Sequence, residues 1–218
     1  MSPDGHRLTA ASMGAAVAWA MLATRYPSFG AALESARTPM HDSTTWLALS
    51  FLLGALMGGR APDWMEFNRA PGGGRRALIP HRTLTHWPPL WLGLGLLGLH
   101  LAPSAAMDMA CTGFVMAALL HLLMDFLTPM GIPLWSPFGK RHAFGLYSSG
   151  SMSEAPWVVV VSLAFLAVGV SPSLRGALLS VASIPKTLAA LDVIGVGGPL
   201  SLQAGFAVIH GCIPGIGY

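Results

Sequence analysis

The sequence predicts an all-α fold, a polytopic membrane bundle of about five transmembrane helices. Of the 218 residues, 53% are hydrophobic and only 10% are charged, whereas a soluble domain carries about 25% charged residues. The apolar residues form blocks with few charges, as expected of helices whose solvent is lipid. Four or five of these blocks approach the ~20 residues that a helix needs to cross a bilayer.

The predicted spans are short, and several are rich in glycine, which favours close packing between membrane helices. They cover residues 8–24, 44–59, 87–102, 105–128 and 156–171. We therefore predict a membrane-embedded domain from 1 to 171. Residues 172–218 form an apolar tail that proline and glycine interrupt, at Pro185, Gly197, Gly198 and Pro199. This tail is either a further span or a segment lying on the membrane surface.

The first apolar block has a second interpretation, the core of a cleaved signal peptide. A signal peptide needs a positively charged start and a small-residue cleavage site after the apolar run. Only Arg7 precedes this block as a firm positive charge, and Arg25 follows it directly. The block is therefore better explained as a membrane span.

The basic residues near the span ends predict the orientation. With five spans, the N-terminus and the loops 60–82 and 129–155 share one side. This side carries eight lysines and arginines against four on the other: Arg7, Arg60, Arg69, Arg75, Arg76, Arg82, Lys140 and Arg141 against Arg25, Arg37, Arg175 and Lys186. The positive-inside rule places the richer side in the cytoplasm. We therefore expect an integral membrane protein whose loops 60–82 and 129–155 lie in the cytoplasm.

Composition also limits the partners and cofactors. The arginines cluster beside apolar blocks instead of forming a nucleic-acid-binding stripe, so the lipid bilayer is the expected partner and nucleic acid is not. The two cysteines, Cys111 and Cys212, lie in apolar stretches without a C-x-x-C pair. Neither a disulfide framework nor a thiolate zinc site is indicated. Any metal ion must be held by histidine and carboxylate ligands, and the sequence does not predict an oligomeric state.

The most informative motif is H-x-x-x-D, formed by His121 and Asp125 at the end of the fourth predicted span. Residues four apart share one helix face, so both side chains can reach a single ion. Polar side chains inside an apolar helix are costly unless they are paired, hydrated or metal-bound, which makes them candidates for a function. The alternative is a hydrogen bond between these two residues that only stabilises helix packing.

A second motif, His81-Arg82-Thr83-Leu84-Thr85-His86, precedes the third span. The arginine suits an anionic substrate oxygen, because a guanidinium binds phosphate in a forked geometry. The alternative is that both histidines lie at the membrane interface and that Arg82 only sets the topology.

The remaining candidate residues are His6, Asp63 and Glu154, each next to the end of a predicted span. Taken alone, each is equally well explained as a solvated loop residue or cap. All the candidates nevertheless fall on the predicted cytoplasmic side, which supports a common site. Four other histidines have no acidic or histidine partner at a useful spacing and are treated as structural or exposed, namely His41, His100, His142 and His210.

The order of these motifs resembles the YdjM-type family, described as LexA-regulated, membrane-bound metal-dependent hydrolases. The likeness covers most of residues 4–154, and its most specific parts are His81-Arg82-x-x-Thr85-His86 and His121-x-x-x-Asp125-x-x-Thr128-Pro129-x-Gly131-x-Pro133. The family's turn reads Pro-Asp-x-Asp-His, and here Met65 and Glu66 replace its second Asp and its His. This departure leaves only Asp63 of the turn as an expected ligand.

The family is also distantly similar to zinc-dependent phospholipase C and related nucleases. The resemblance implies a divalent metal ion, zinc first and Mn²⁺ or Mg²⁺ as alternatives. The implied metal ligands are His6, Asp63, His86, His121 and Asp125, with catalytic roles for Arg82, His81 and Glu154. His81 is the alternative to His86, and Glu154 serves a second metal ion or orients a ligand.

The function expected from these residues is metal-assisted hydrolysis of a phosphoester, lipid-derived because the site lies at the bilayer surface. A metal ion held by imidazole and carboxylate activates water and neutralises charge on phosphoryl oxygens. Two alternatives belong to other classes. One is a non-enzymatic membrane protein whose His/Asp cluster is structural, and the other is a transporter that relays protons or ions. A transporter is disfavoured, because neither repeat symmetry nor broken midplane helices are found in the sequence.

Overall fold

A computed structural model describes residues 1–36, 43–65, 67–69, 75–77, 79 and 82–190. In this part of the chain the all-α prediction is confirmed, with eight α-helices and one short 3₁₀-helix. The helices are α1 (Pro3–Leu22), α2 (Phe29–Ala36), α3 (Ser43–Gly58), α4 (Ala61–Trp64), the 3₁₀-helix η1 (Leu84–His86), α5 (Pro88–Leu101), α6 (Ala105–Phe126), α7 (Glu154–Val170) and α8 (Pro172–Ala190).

Two small antiparallel hairpins accompany the helices, and the sequence did not predict them. Strand β1 (Phe67–Arg69) pairs with β2 (Arg75–Ala77). Strand β3 (Ile132–Pro133) pairs with β4 (Arg141–His142). Both hairpins lie in the loops that were expected on the polar side, where short strands satisfy backbone groups of the connecting chain.

Each of the five predicted spans lies on a helix, but the number of helices able to cross a membrane is smaller. By length and hydropathy, α6 is the one described helix that could cross a membrane alone. Helix α7 and the first part of α8 would make a second crossing if they are treated as one span bent by 108°. Helices α3 and α5 are apolar but shorter. A bundle of five spans is therefore not confirmed.

Helix α1 begins earlier than the predicted span. Ser2 caps it, since its hydroxyl accepts a hydrogen bond from the Gly5 amide at 3.2 Å, and Pro3 occupies the first turn. Serine at the cap followed by proline is a strong helix-start signal. The consequence for function is that His6 lies on a helix and not in a loop before one.

Close contact between α3 and α6 forms the centre of the bundle. A Cβ atom added to Gly58 would lie 1.9 Å from the Phe114 carbonyl oxygen, and one added to Gly113 would lie 2.2 Å from the Phe51 carbonyl oxygen. Only glycine permits this approach of two backbones, as in other membrane helix pairs with small residues at the contact. The contact fixes the end of α3 beside the last turns of α6, where the candidate site lies.

Helix α1 packs against α3 and α7, with fewer contacts to α6. Helix α8 follows α7 after a sharp bend, because Ser171 is extended and Pro172 cannot continue the preceding helix. The first part of the predicted tail is thus helical and contacts α1, α5 and α6. Residues 191–218 lie outside the described residues.

Candidate metal centre

Four elements bring histidines and aspartates to one end of the bundle. His6 comes from the first turns of α1, Asp63 from α4, His86 from η1, and His121 and Asp125 from the last turns of α6. Their side chains are buried except that of Asp63, which is 26% exposed. The five predicted metal ligands therefore surround one place in the structure.

Asp125 is the centre of this cluster. Its Oδ1 atom lies 2.7 Å from Arg82 Nη2 and 3.3 Å from His6 Nε2, and it also contacts the amino group of Met1. Its Oδ2 atom lies 3.1 Å from His86 Nε2 and 3.6 Å from His121 Nε2. One oxygen thus faces the Arg82 guanidinium, the Met1 amino group and the His6 ring, and the other faces two imidazoles.

Asp63 approaches the same two imidazoles from the exposed side. Its Oδ1 atom lies 3.5 Å from His86 Nε2 and 3.6 Å from His121 Nε2. Burial alone would raise the pKa of this carboxyl, but the neighbouring His121 and His86 rings outweigh burial and hold the pKa well below its usual range. Asp63 is therefore a carboxylate at neutral pH.

The orientation of His121 is set by the end of α3. Its Nδ1 atom lies 2.9 Å from the carbonyl oxygen of Gly59. A carbonyl can only accept, so Nδ1 carries a proton and Nε2 faces the carboxylates. The His6 ring stacks on the His121 ring, with centroids 3.4 Å apart and planes 8° from parallel. Metal-binding histidines commonly donate from one ring nitrogen to a carbonyl, as His121 does to Gly59, while the other nitrogen binds the ion.

His86 is held by its neighbours along the chain. The Thr85 hydroxyl lies 3.2 Å from His86 Nδ1. The indole of Trp91, which is fully buried, donates to the Thr85 carbonyl at 2.6 Å. These contacts direct His86 Nε2 toward both aspartates. Residues of η1 and of the start of α5 therefore hold the His86 ring in place together.

The arrangement fits a divalent metal ion. Four ligands at about 2.0 to 2.2 Å in a tetrahedron lie about 3.3 to 3.6 Å from one another. The Nε2 atoms of His86 and His121 each lie close to this distance from one oxygen of each aspartate, at 3.1, 3.5, 3.6 and 3.6 Å. Two overlapping trios, His6 with Asp63 and His121, and His86 with His121 and Asp125, hold ligand atoms within 4.8 Å of one another.

Buried nitrogen atoms give independent support for a ligand at this place. Both ring nitrogens of His6 and the Nε2 atom of His121 are buried and make no hydrogen bond of acceptable geometry among the described residues. A buried polar atom without a partner costs about 1 to 3 kcal/mol. Coordination of a metal ion would satisfy the His121 nitrogen, and the imidazole and carboxylate donors suit zinc, with manganese as an alternative.

Arg82 supports Asp125 from the buried side. Its guanidinium donates to Asp125 Oδ1, to the Thr128 hydroxyl at 3.0 Å and to the Gly131 carbonyl at 3.4 Å. The side chain is only 3% exposed, and its backbone is in the left-handed region with φ of 56°. Thr128 in turn donates to the Asp125 carbonyl at 2.7 Å. The sequence analysis assigned the Arg82 guanidinium to a substrate phosphate. In the structure this guanidinium instead donates to Asp125, one of the predicted metal ligands.

Glu154 lies at the edge of the site, at the start of α7. Its Oε1 atom accepts from the Ser2 amide at 2.9 Å and from the Ser2 hydroxyl at 2.5 Å, and its Oε2 atom accepts from the Gly150 amide at 2.5 Å. These bonds tie the start of α1 to the start of α7. Helix α1 also carries His6, so these bonds fix the start of the helix on which His6 lies.

Two residues discussed in the sequence analysis cannot be placed in this site, and the sequence analysis missed two groups that contribute to it. His81 and Glu66 lie outside the described residues. The Gly59 carbonyl was missed because a backbone acceptor leaves no signal in the side-chain pattern. The capping role of Ser2 was missed as well, although Ser2-Pro3-Asp4 is a recognisable helix start.

Comparisons with known proteins give one match. A family model described as YdjM inner membrane protein matches residues 1–191. No curated protein and no solved structure matches the chain.

Proposed function

The chain belongs to the YdjM inner membrane protein family, and we propose that it is a membrane-bound, metal-dependent hydrolase of a phosphoester. The observation that carries the proposal is the pair of buried imidazoles of His86 and His121, whose Nε2 atoms each lie 3.1 to 3.6 Å from an oxygen of both Asp63 and Asp125, with Asp63 partly exposed. Structural metal sites are closed by protein ligands, whereas catalytic sites keep a position open to substrate. The exposed edge at Asp63 favours the catalytic class.

In this proposal these four side chains hold the ion, and His6 contacts the other oxygen of Asp125. Zinc is the preferred metal and Mn²⁺ or Mg²⁺ would also suit the donors. When bound, such an ion would lower the pKa of water toward about 7 and neutralise charge on phosphoryl oxygens.

The protein's own groups have three tasks. The Gly59 carbonyl keeps the lone pair of His121 Nε2 directed at the site. Arg82 holds the Asp125 carboxylate in one orientation, and the Thr128 hydroxyl accepts from the same guanidinium, with both side chains buried. Asp63 marks the side from which a substrate enters. His81 is kept as an alternative ligand, and Glu154 as a residue that positions α1.

The substrate proposed is a lipid-derived phosphoester. The cluster lies in the last turns of α6, the helix able to cross a membrane, so its depth matches the headgroup region at one end of that helix. A phosphoester in a lipid headgroup would lie at the same depth. A soluble phosphoester is the alternative outcome of a substrate screen.

The topology proposed has five spans with this site on the cytoplasmic side. The basic residues of the loops 60–82 and 129–155 support the orientation. Single cysteines placed at Ser136 and Ser149, both exposed, should resist an impermeant thiol reagent added to intact cells and react after the membrane is opened. Reaction in intact cells would reverse the orientation.

The test of function uses the full chain in nanodiscs, loaded with Zn²⁺ or Mn²⁺ and screened against phospholipids, lipid phosphates and soluble phosphoesters. We expect release of a phosphate or phosphorylated headgroup by the wild type and by His100→Ala, a variant at an exposed site away from the cluster. Asp63→Ala and His121→Ala should be inactive. Stoichiometric metal with no hydrolysis of any substrate class would contradict the proposal and favour a structural metal site.

A further inference from the structure

The hairpin formed by β3 and β4, residues 132–142, exposes large apolar side chains that the proposed function does not use. Trp135 is 84% exposed and Phe138 is 72% exposed. Both lie in the segment that joins the two strands, where a turn bond runs from the Gly139 amide to the Ser136 carbonyl. Exposed aromatic residues of this size on a short loop mark a surface that contacts another apolar phase.

The hairpin is fixed to the end of α6. The chain after β4 returns to this helix, where the Phe144 amide donates to the Phe126 carbonyl and the Leu146 amide donates to the Leu127 carbonyl. Helix α6 has 22 residues, a length of about 33 Å at 1.5 Å per residue, against a hydrocarbon core of about 30 Å. A loop bonded to the last carbonyls of such a helix lies at the bilayer boundary.

The charge of the loop indicates whether it contacts a lipid surface or a protein. Residues 126–153 contain no aspartate or glutamate, and Lys140 and Arg141 are exposed beside the aromatic tip. Tryptophan prefers the headgroup level of a bilayer, and lysine and arginine near it are attracted to anionic lipids. The fixed position, the aromatic tip and the positive charge together favour a lipid surface over a protein partner.

We propose that the β3–β4 hairpin is an interfacial membrane anchor that inserts Trp135 and Phe138 among lipid headgroups, with Lys140 directed at anionic phosphates. The anchor also bears on the site. The Leu134 carbonyl accepts from the indole of Trp87, next to His86, and the Gly131 carbonyl accepts from Arg82. Insertion of the tip therefore sets the depth of the metal centre in the membrane. The anchor does not depend on hydrolysis and can be tested without it.

The experiment uses the full chain without Cys111 and Cys212, with a single cysteine in place of Phe138 that carries an environment-sensitive fluorophore. In nanodiscs of phosphatidylglycerol and phosphatidylcholine, a nitroxide near the lipid headgroup should quench this probe several-fold more than aqueous iodide does. The same probe at Ser149, an exposed polar position on the same loop, should show the opposite order. A probe at Trp135 repeats the measurement if the Phe138 variant does not fold.

A second comparison tests the charge. Lys140→Ala should reduce the quenching by the lipid nitroxide in phosphatidylglycerol discs and leave it unchanged in discs of phosphatidylcholine alone. Stronger quenching of position 138 by iodide than by the lipid nitroxide would overturn the anchor. Protection of position 138 from both quenchers, as cover by a second copy of the chain would give, would also overturn it.

Discussion

Replacement of Arg82 by alanine tests how the protein holds Asp125. The Arg82 guanidinium lies 2.7 Å from Asp125 Oδ1, and both side chains are almost fully buried. Removal of one partner of a buried ion pair costs about 3 to 5 kcal/mol, because the remaining charge is left buried. Loss of a residue that orients a metal ligand lowers metal affinity by about 10- to 100-fold. We therefore expect Arg82→Ala to unfold at a lower temperature and to bind Zn²⁺ more weakly by this factor.

Arg82→Gly separates the backbone from the side chain. A non-glycine residue with φ of 56° stores of order 1 to 3 kcal/mol of strain, and glycine adopts this conformation without it. The glycine variant should therefore be more stable than the alanine variant, while both lose the same metal affinity. Thermal unfolding followed by tryptophan fluorescence and zinc competition with a chelating dye measure the two effects. The control is Arg7→Ala, whose exposed pair with Asp4 contributes little.

If Arg82→Ala kept the zinc affinity and the unfolding temperature of the wild type, Arg82 would not be the residue that holds Asp125 in place. A loss of stability with unchanged zinc affinity would reduce Arg82 to a packing residue.

Three further predictions use the same measurements. Gly58→Ala should destabilise the protein by about 1 to 3 kcal/mol or more, because its Cβ would lie 1.9 Å from a backbone oxygen of α6, while Gly93→Ala, with no atom within 4 Å, should not. Glu154→Gln should lower the free energy of unfolding by about 1 to 3 kcal/mol, because an amide NH₂ would face a backbone N–H donor. The variant should keep its bound metal, and loss of the metal would contradict this prediction. Thr128→Ala should weaken zinc binding by about tenfold or less, and a complete loss would make Thr128 a ligand.

The pair His121 and Asp125 could be predicted from the sequence because helix geometry alone places residues four apart on one face. The order of the predicted spans placed His6, Asp63 and His86 on the same side as this pair, and the family resemblance implied that they are ligands of the same site. Helix periodicity and the cost of polar groups in an apolar phase were enough to single out His121 and Asp125 without knowledge of how the helices pack.

The partners of the ligands could not be predicted, because they depend on packing between elements. The Gly59 carbonyl reaches His121 only because α3 and α6 touch at their glycines. Arg82 reaches Asp125 only from a left-handed backbone that sequence propensities disfavour. The five predicted spans are not confirmed for a related reason. Apolar blocks of 14 to 16 residues, those of α5 and α3, meet the composition of a span but not its length.

The most direct test of the metal centre is the metal content of the purified full chain. Wild type and His100→Ala should contain stoichiometric zinc or manganese, while His121→Ala and Asp125→Ala should lose it, each variant being shown to fold by its elution volume and helical circular dichroism. His100 is the matched control, because it is an exposed histidine in an apolar helix with no acid at helical spacing. Full metal content and normal stability of Asp125→Ala would contradict the metal centre, and the cluster would then be a packing feature of α6.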